Sequence, residues 1–207
     1  MSGKPTGLRF GPLGPSAAHI CVDMQRMFAE STPWATGWME KVLPEVVRLC
    51  ETTKARTIFT RFIPVRDREA ARGAWRRYYD HWQQMTLGKL DPGLLELVPP
   101  LPVFVPPALV LDKVTYSPWM GMGLQRQLAG RHVDTLVISG GETDVCVLAT
   151  VMGAVDAGFR TIVALDALCS SANSMHDAIV DWYHARLAQQ VEAASVDEII
   201  ANWSDGD

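Results

Sequence analysis

The sequence predicts an α/β domain, a parallel sheet of about six strands with helices on both faces. Three observations predict it. Short runs rich in Val, Ile, Leu and Thr recur at 17–22, 56–62, 108–113, 135–138, 160–165 and 191–194. Segments with apolar residues at helical spacing separate most of them, as crossover connections between parallel strands require. The strand runs are apolar nearly throughout rather than alternating, which fits strands buried on both faces.

The chain has 207 residues, 48% hydrophobic and 20% charged, enough for one core. We expect a loose Gly- and Pro-rich arm over 1–16 and one domain over 17–207. No apolar run approaches the roughly 20 residues of a membrane span, and the first residues lack the apolar core of a secretory signal. These features lead us to expect a cytoplasmic protein that engages no membrane. A net charge of -4 offers no basic surface for nucleic acid. Cys21, Cys50, Cys146 and Cys169 show no CxxC pairing and no clustered His, which speaks for free thiols and against zinc.

The first strand, 17–22, ends at Asp23, with Gln25 and Phe28 just beyond. Ligands of open α/β sheets collect at the carboxyl ends of strands, so Asp23 is a functional candidate; a helix N-cap is the competing reading. Trp34 and Trp38, in the loop that follows, wall a pocket or fill a subunit contact. Apolar positions 42, 43, 46, 47 and 49 form a helical stripe against the sheet. After the second strand, 56–62, Arg66, Arg68, Arg72, Arg76 and Arg77 stand among Trp75, Tyr78, Tyr79 and Trp82. An anionic-substrate pocket, a subunit contact and a solvated helix face compete for that segment.

The third strand, 108–113, ends at Lys113, a site residue or a snorkelling surface lysine. Ser117 and Pro118 then suit the cap and first position of a helix that carries Leu124 and Leu128. The fourth strand, 135–138, meets Gly140 and Gly141, and a polar turn opens into a helix. This places Cys146 in a first helical turn, where unpaired N–H groups and the dipole favour a thiolate; a small core residue is the alternative. The fifth strand, 160–165, leads to Asp166, which anchors its loop. A long helix over 175–190 carries His176 and His184, and a short strand at 191–194 precedes a final helix over 196–203.

Asp23, Lys113 and Cys146 thus stand at the ends of three strands. Asp23 with Gln25 two residues on, Lys113 followed by Tyr116-Ser117, and the run Gly140-Gly141-Glu142-Thr143-Asp144-Val145-Cys146-Val147 before a helix together resemble the isochorismatase-like cysteine hydrolases. Asp156-Ala157-Gly158-Phe159 and Asp166-Ala167 extend the resemblance over about 17–203. It implies a Rossmann-like domain, a homo-oligomer (dimer or tetramer), and hydrolysis of a C–N bond in a small amide, carbamoyl or ureido compound through a thioester. It also implies Asp23 as proton acceptor, Lys113 and the helix start holding a low-pKa Cys146 thiolate, and the backbone N–H groups of Glu142 and Cys146 as oxyanion hole. A cis Gly141–Glu142 peptide and substrate contacts from Gln25, Phe28, Trp34, Arg61, Tyr116 and Glu142 complete that picture.

No organic cofactor is implied. Nicotinamidases of the superfamily carry an Asp and two His after the second strand, where this chain has Thr60-Arg61-Phe62-Ile63-Pro64, so no metal is expected. True isochorismatases lack the nucleophilic cysteine, and Cys146 therefore favours amide chemistry. Glu142 replaces a small or apolar residue; it narrows the pocket, binds a substrate amine, or points away. The Arg61–Arg77 segment favours a carboxylated substrate. Asp23 and Lys113, read as lying at a solvent-facing edge, should be replaceable without unfolding. A catalytically silent or redox-responsive thiol protein, or a hydrolase of a non-amide substrate, are the competing functions.

Overall fold

Each of the six apolar runs forms a strand in the computed structural model, which describes residues 7–204. They are β1 (Ala17–Val22), β2 (Thr57–Phe62), β3 (Leu109–Lys113), β4 (Thr135–Gly141), β5 (Arg160–Cys169) and β6 (Val191–Ala194). All pairings are parallel, in the order β3-β2-β1-β4-β5-β6. The chain winds outward one way from β1 and the other way from β4. Between those two strands lies the switch point at which open α/β sheets form a crevice.

Helices α1 (Arg26–Ala29), α2 (Met39–Thr53), α3 (Ala74–His81), α4 (Met122–Gly130), α5 (Leu148–Asp156), α6 (Asn173–Arg186) and α7 (Val196–Ala201) occupy the connections and the end of the chain. Successive strand residues point to opposite faces, and both faces are buried except along the edge strand β3. Cys21, Phe59, Val137 and Ile162 pack with Val46 and Leu49 of α2 and Val196 and Ile199 of α7. Ile20, Val22, Ile58 and Ile138 pack on the other side with Leu124 and Leu128 of α4, Val151 of α5 and Tyr183 of α6. No helix among the described residues is long and apolar enough to cross a membrane.

Three expectations change. β4 and β5 run on to Gly141 and Cys169, past the ends that hydrophobicity alone marks. A bulge, across which the register passes from Ile138–Val163 to Gly140–Leu168, lets these small residues continue the ladder. Asp166, within that bulge, accepts a hydrogen bond from Val196 N at 2.9 Å and so holds the start of α7. Ser117 caps a single 3₁₀ turn, Pro118–Met120, and α4 starts only at Met122. The turn is held apart because the Trp119 indole N–H donates to Thr150 O at 2.9 Å and its ring covers Gly153, where a Cβ would approach to 2.1 Å.

The arm is not loose from residue 7 onward. Gly7 N donates to Ala193 O at 2.8 Å and Arg9 N to Glu192 Oε1 at 2.5 Å, satisfying groups at the β6 edge. Leu13 is buried, donating to Asn202 O and accepting from Ser204 N. Residues 1–6 of the expected arm lie outside the described residues.

Candidate active site

Asp23 follows β1 with φ 49, a left-handed conformation that Asp tolerates better than most side chains. The register pairs Val22 with Thr60, which brings the Thr60 hydroxyl beside it. Thr60 Oγ1 donates to Asp23 Oδ1 at 2.7 Å, and Asp23 N donates to Thr60 O at 3.1 Å. On the next strand Phe62 pairs with Lys113, whose side chain reaches back across β2. Its Nζ donates to Asp23 Oδ2 at 2.6 Å and to Thr115 O at 3.1 Å, and lies 5.3 Å from the Phe62 ring centroid.

Asp23 is thus neither an N-cap nor at an open edge. The side chains of Lys113 and Asp23 are 4% and 1% exposed. Burial pulls the Lys113 pKa down, but the opposing pull, led by the negative charge of Asp23, outweighs it, and the ammonium titrates above its ordinary value.

Cys146 lies in a π-helical turn, Thr143–Val147, that precedes α5, rather than in the first turn of an α-helix. Asp23 and Lys113 are the two charged groups that act on its thiol. Burial pushes the thiol pKa well above its usual range and the Asp23 carboxylate adds to this, against the opposing pull of Lys113. Burial thus moves the Cys146 thiol in the direction opposite to the low pKa that the resemblance implies. Desolvation outweighs one lysine because that lysine already neutralises Asp23.

The turn before Cys146 is fixed by close backbone approach. Gly140 has φ 103, and a Cβ there would stand 2.1 Å from Val22 O; at Gly141 it would stand 2.9 Å from Cys169 Sγ. The Gly141–Glu142 peptide is cis. Glu142 O accepts from Val145 N and Val147 N at 3.1 and 3.0 Å. The Thr143 hydroxyl bonds Cys169 O at 3.1 Å and contacts His176 Nδ1 at 2.9 Å, tying the turn to β5 and α6. Ser170 Oγ donates to Asp144 Oδ1 at 2.6 Å, and Ser171 Oγ to Glu142 Oε2 at 2.9 Å. Burial raises the Glu142 pKa while the Ser171 bonds lower it.

A cavity of about 120 Å³ opens onto Cys146, lined by Phe28, Trp34, Phe62, Tyr78 and Tyr116 together with Gly141, Glu142 and Val145. Phe28, Trp34, Tyr116 and Glu142 are thereby brought together as the sequence reading expects. Gln25 and Arg61 are not. The Gln25 side chain is fully buried, donating to Phe62 O and Leu95 O and accepting from Phe62 N, so it clamps β2 to a loop. Arg61 makes a two-pronged contact with Asp112 at 2.8 and 3.0 Å and also bonds Glu96, which leaves its guanidinium engaged outside the cavity.

No arginine of 66–77 lines the cavity. Arg66 pairs with Asp67, Arg68 with Asp80, and Arg72, Arg76 and Arg77 are exposed. The aromatics of the same segment do the walling: Tyr78 packs on Trp34, and Trp75 lies 4.8 Å from Tyr116. Trp75, Tyr78, Tyr79 and Trp82 stand at i, i+3, i+4 and i+7, a spacing that puts them on one helix face and could have found Tyr78. Trp38 packs edge-on against His176 at 4.8 Å. Among the described residues no group of three or more His, Cys, Asp or Glu side chains is placed to hold a metal ion.

The isochorismatase domain profile matches residues 17–195. An isochorismatase family protein of Escherichia coli O157:H7, YecD, is 30% identical over 88 residues, which is 42% of this chain and 45% of that relative. The match therefore spans about half the relative's length. A cysteine hydrolase from Pseudomonas syringae pv. phaseolicola 1448A superposes with a TM-score of 0.80 at 24% identity, covering 98% of each chain. N-carbamoylsarcosine amidase from Thermoplasma acidophilum does so with a TM-score of 0.69 at 20% identity, over 87% of this chain and 96% of the other. Because the matched domain runs from the first residue of β1 to the residue that follows β6, taking in the whole sheet and every residue of the site, this chain belongs to the isochorismatase family.

Proposed function

We propose that the protein is a cysteine hydrolase that cleaves a C–N bond in a small amide, carbamoyl or ureido compound. The observation that carries this reading is the placement of Cys146 against both Asp23 and Lys113 at a cavity. An amidase among the structural neighbours adds support of fold. A cavity of about 150 Å³ holds a benzene ring, so this one suits a compact acyl group.

In the proposed cycle the neutral thiol gives its proton to Asp23 as Sγ bonds to the carbonyl carbon. Lys113 stays charged and offsets the negative charge that moves between Asp23 and the sulfur. The backbone N–H groups of Glu142 and Cys146 receive the oxyanion. Asp23 then passes its proton to the departing nitrogen, the C–N bond breaks, and ammonia or an amine leaves a thioester. Water attacks the thioester, giving a proton to Asp23; the C–S bond breaks, releasing the acid, and Asp23 returns that proton to Sγ to restore the thiol. A homo-oligomer, dimer or tetramer, belongs to the same reading.

Ammonia release from a panel of small amides and ureides tests it. Turnover that disappears in Cys146→Ala, persists with chelator, and yields an acyl adduct on Cys146 after acid quench is expected. No turnover across the panel, or turnover untouched by loss of Cys146, would sink the proposal.

A further inference from the structure

The wall of the cavity is chemically one-sided. Trp34, Phe62, Tyr78 and Tyr116 present aromatic rings, with Trp34 in contact with both Phe62 and Tyr78 at centroid separations of 5.9 and 5.8 Å. The acid in the wall is Glu142, held by Ser171, and the charge acting on it is that of a second acid, Asp144. Lys113 is already paired with Asp23, and Arg61 and the arginines that follow β2 are paired elsewhere or exposed. A substrate carboxylate would meet the acid here with no arginine fork to receive it. An organic cation would meet the aromatic rings of Trp34, Tyr78 and Tyr116, whose quadrupoles attract it, and the Glu142 carboxyl group in the same wall.

We propose that the substrate carries a small organic cation, an alkylated ammonium or amine, on the acyl side of the scissile C–N bond, with Glu142 as the specificity-determining residue. This rests on the hydrolase reading above and deepens it. The aromatic surfaces would surround the cation while Glu142 balances its charge, leaving the carbonyl over Cys146.

The test compares two amides of the same shape: 2-(trimethylammonio)acetamide and its neutral carbon isostere, 3,3-dimethylbutanamide. The cationic amide is expected to be hydrolysed with a kcat/KM at least about tenfold higher. In Glu142→Gln that ratio should fall toward unity. Equal turnover of the two amides by the native enzyme, or a ratio unmoved in Glu142→Gln, overturns the inference while leaving hydrolysis standing. Protection of Cys146 from iodoacetamide by tetramethylammonium, against tert-butanol as neutral control, gives a readout that requires neither turnover nor a variant. Should neither amide be hydrolysed, selective protection by the cation supports the cation site and counts against the hydrolase reading; its absence overturns the inference.

Discussion

Lys113 Nζ and Asp23 Oδ2 stand 2.6 Å apart across 90 residues of sequence, and their side chains are almost wholly buried. Such a pair constrains what can be removed. Lys113→Ala strands a charged Asp23 in the interior and should destabilise the protein by about 3–5 kcal/mol. Adding Asp23→Asn to Lys113→Met removes the unpaired charge and should recover part of that loss. Denaturant melts of the single and double variants check this, and equal stability of Lys113→Ala and the native protein would contradict the buried pair.

The same pair sets a limit at alkaline pH. The Lys113 pKa is raised in the folded protein, so its stabilisation is fully present below the unfolded-state value of about 10.4 and is lost as pH rises through the higher folded value. Unfolding midpoints should fall above about pH 10.4, and the fall should be shallower in the double variant.

Thr60 is expected to hold Asp23 in place. Thr60→Val deletes the donor to Asp23 Oδ1 with little change of shape. Loss of a hydrogen bond to a charged group should cost about 1.5–3 kcal/mol. If Asp23 moves protons in the cycle, kcat should drop more than KM rises. An unchanged kcat would remove Thr60 from the positioning role.

Thiol alkylation should separate accessibility from acidity. Cys146 lines the cavity, whereas Cys21, Cys50 and Cys169 are fully buried. Iodoacetamide should therefore label Cys146 first, even though Cys50, beside Cys21 and His19, has its pKa lowered to about 6. Because the Cys146 thiol is raised, its labelling rate should keep climbing with pH beyond neutrality. A rate already level near pH 7, read by peptide mass analysis, would show a thiolate instead.

Two glycines with positive φ should respond differently. Gly140→Ala drives a Cβ to 2.1 Å from Val22 O and should cost more than about 4 kcal/mol. At Gly158, with φ 82, a Cβ meets nothing within 4 Å, and Gly158→Ala should cost about 1–2 kcal/mol of backbone strain. Matched thermal melts would distinguish them.

The sheet was legible because β1, β4 and most of β5 are buried on both sides and so read as largely apolar runs, whereas the edge strand β3 is half exposed and still stood out by Leu109, Val110 and Leu111. Where a strand is made of small residues, as at Ser139–Gly141, hydrophobicity falls away and the pattern stops short of the ladder. The positions of Asp23, Lys113 and Cys146 followed from strand ends. Their electrostatics did not, since burial is a property of the packed chain: it reversed the expected shift at Cys146 and made an interior pair of two residues read as lying at an edge. Arg61 and Gln25 carried the right chemistry for a substrate but were engaged by Asp112 and by Phe62. Thr60 went unnoticed because a threonine in a strand looks like β propensity until the β1–β2 register sets it beside Asp23.

The strand order has a kinetic consequence. Asp23, Lys113 and Cys146 hang from β1, β3 and the turn after β4, which are brought together only by parallel pairing across long connections. Such non-local contacts are slow to form. During synthesis the chain emerges with its acid first, its lysine next and its thiol last, so Cys146 meets Asp23 only once β4 has docked on β1, and Lys113 only once β3 has also docked on β2. Assembly of the sheet thus acts as a timer: Asp23, Lys113 and Cys146 come together only as the sheet closes around them.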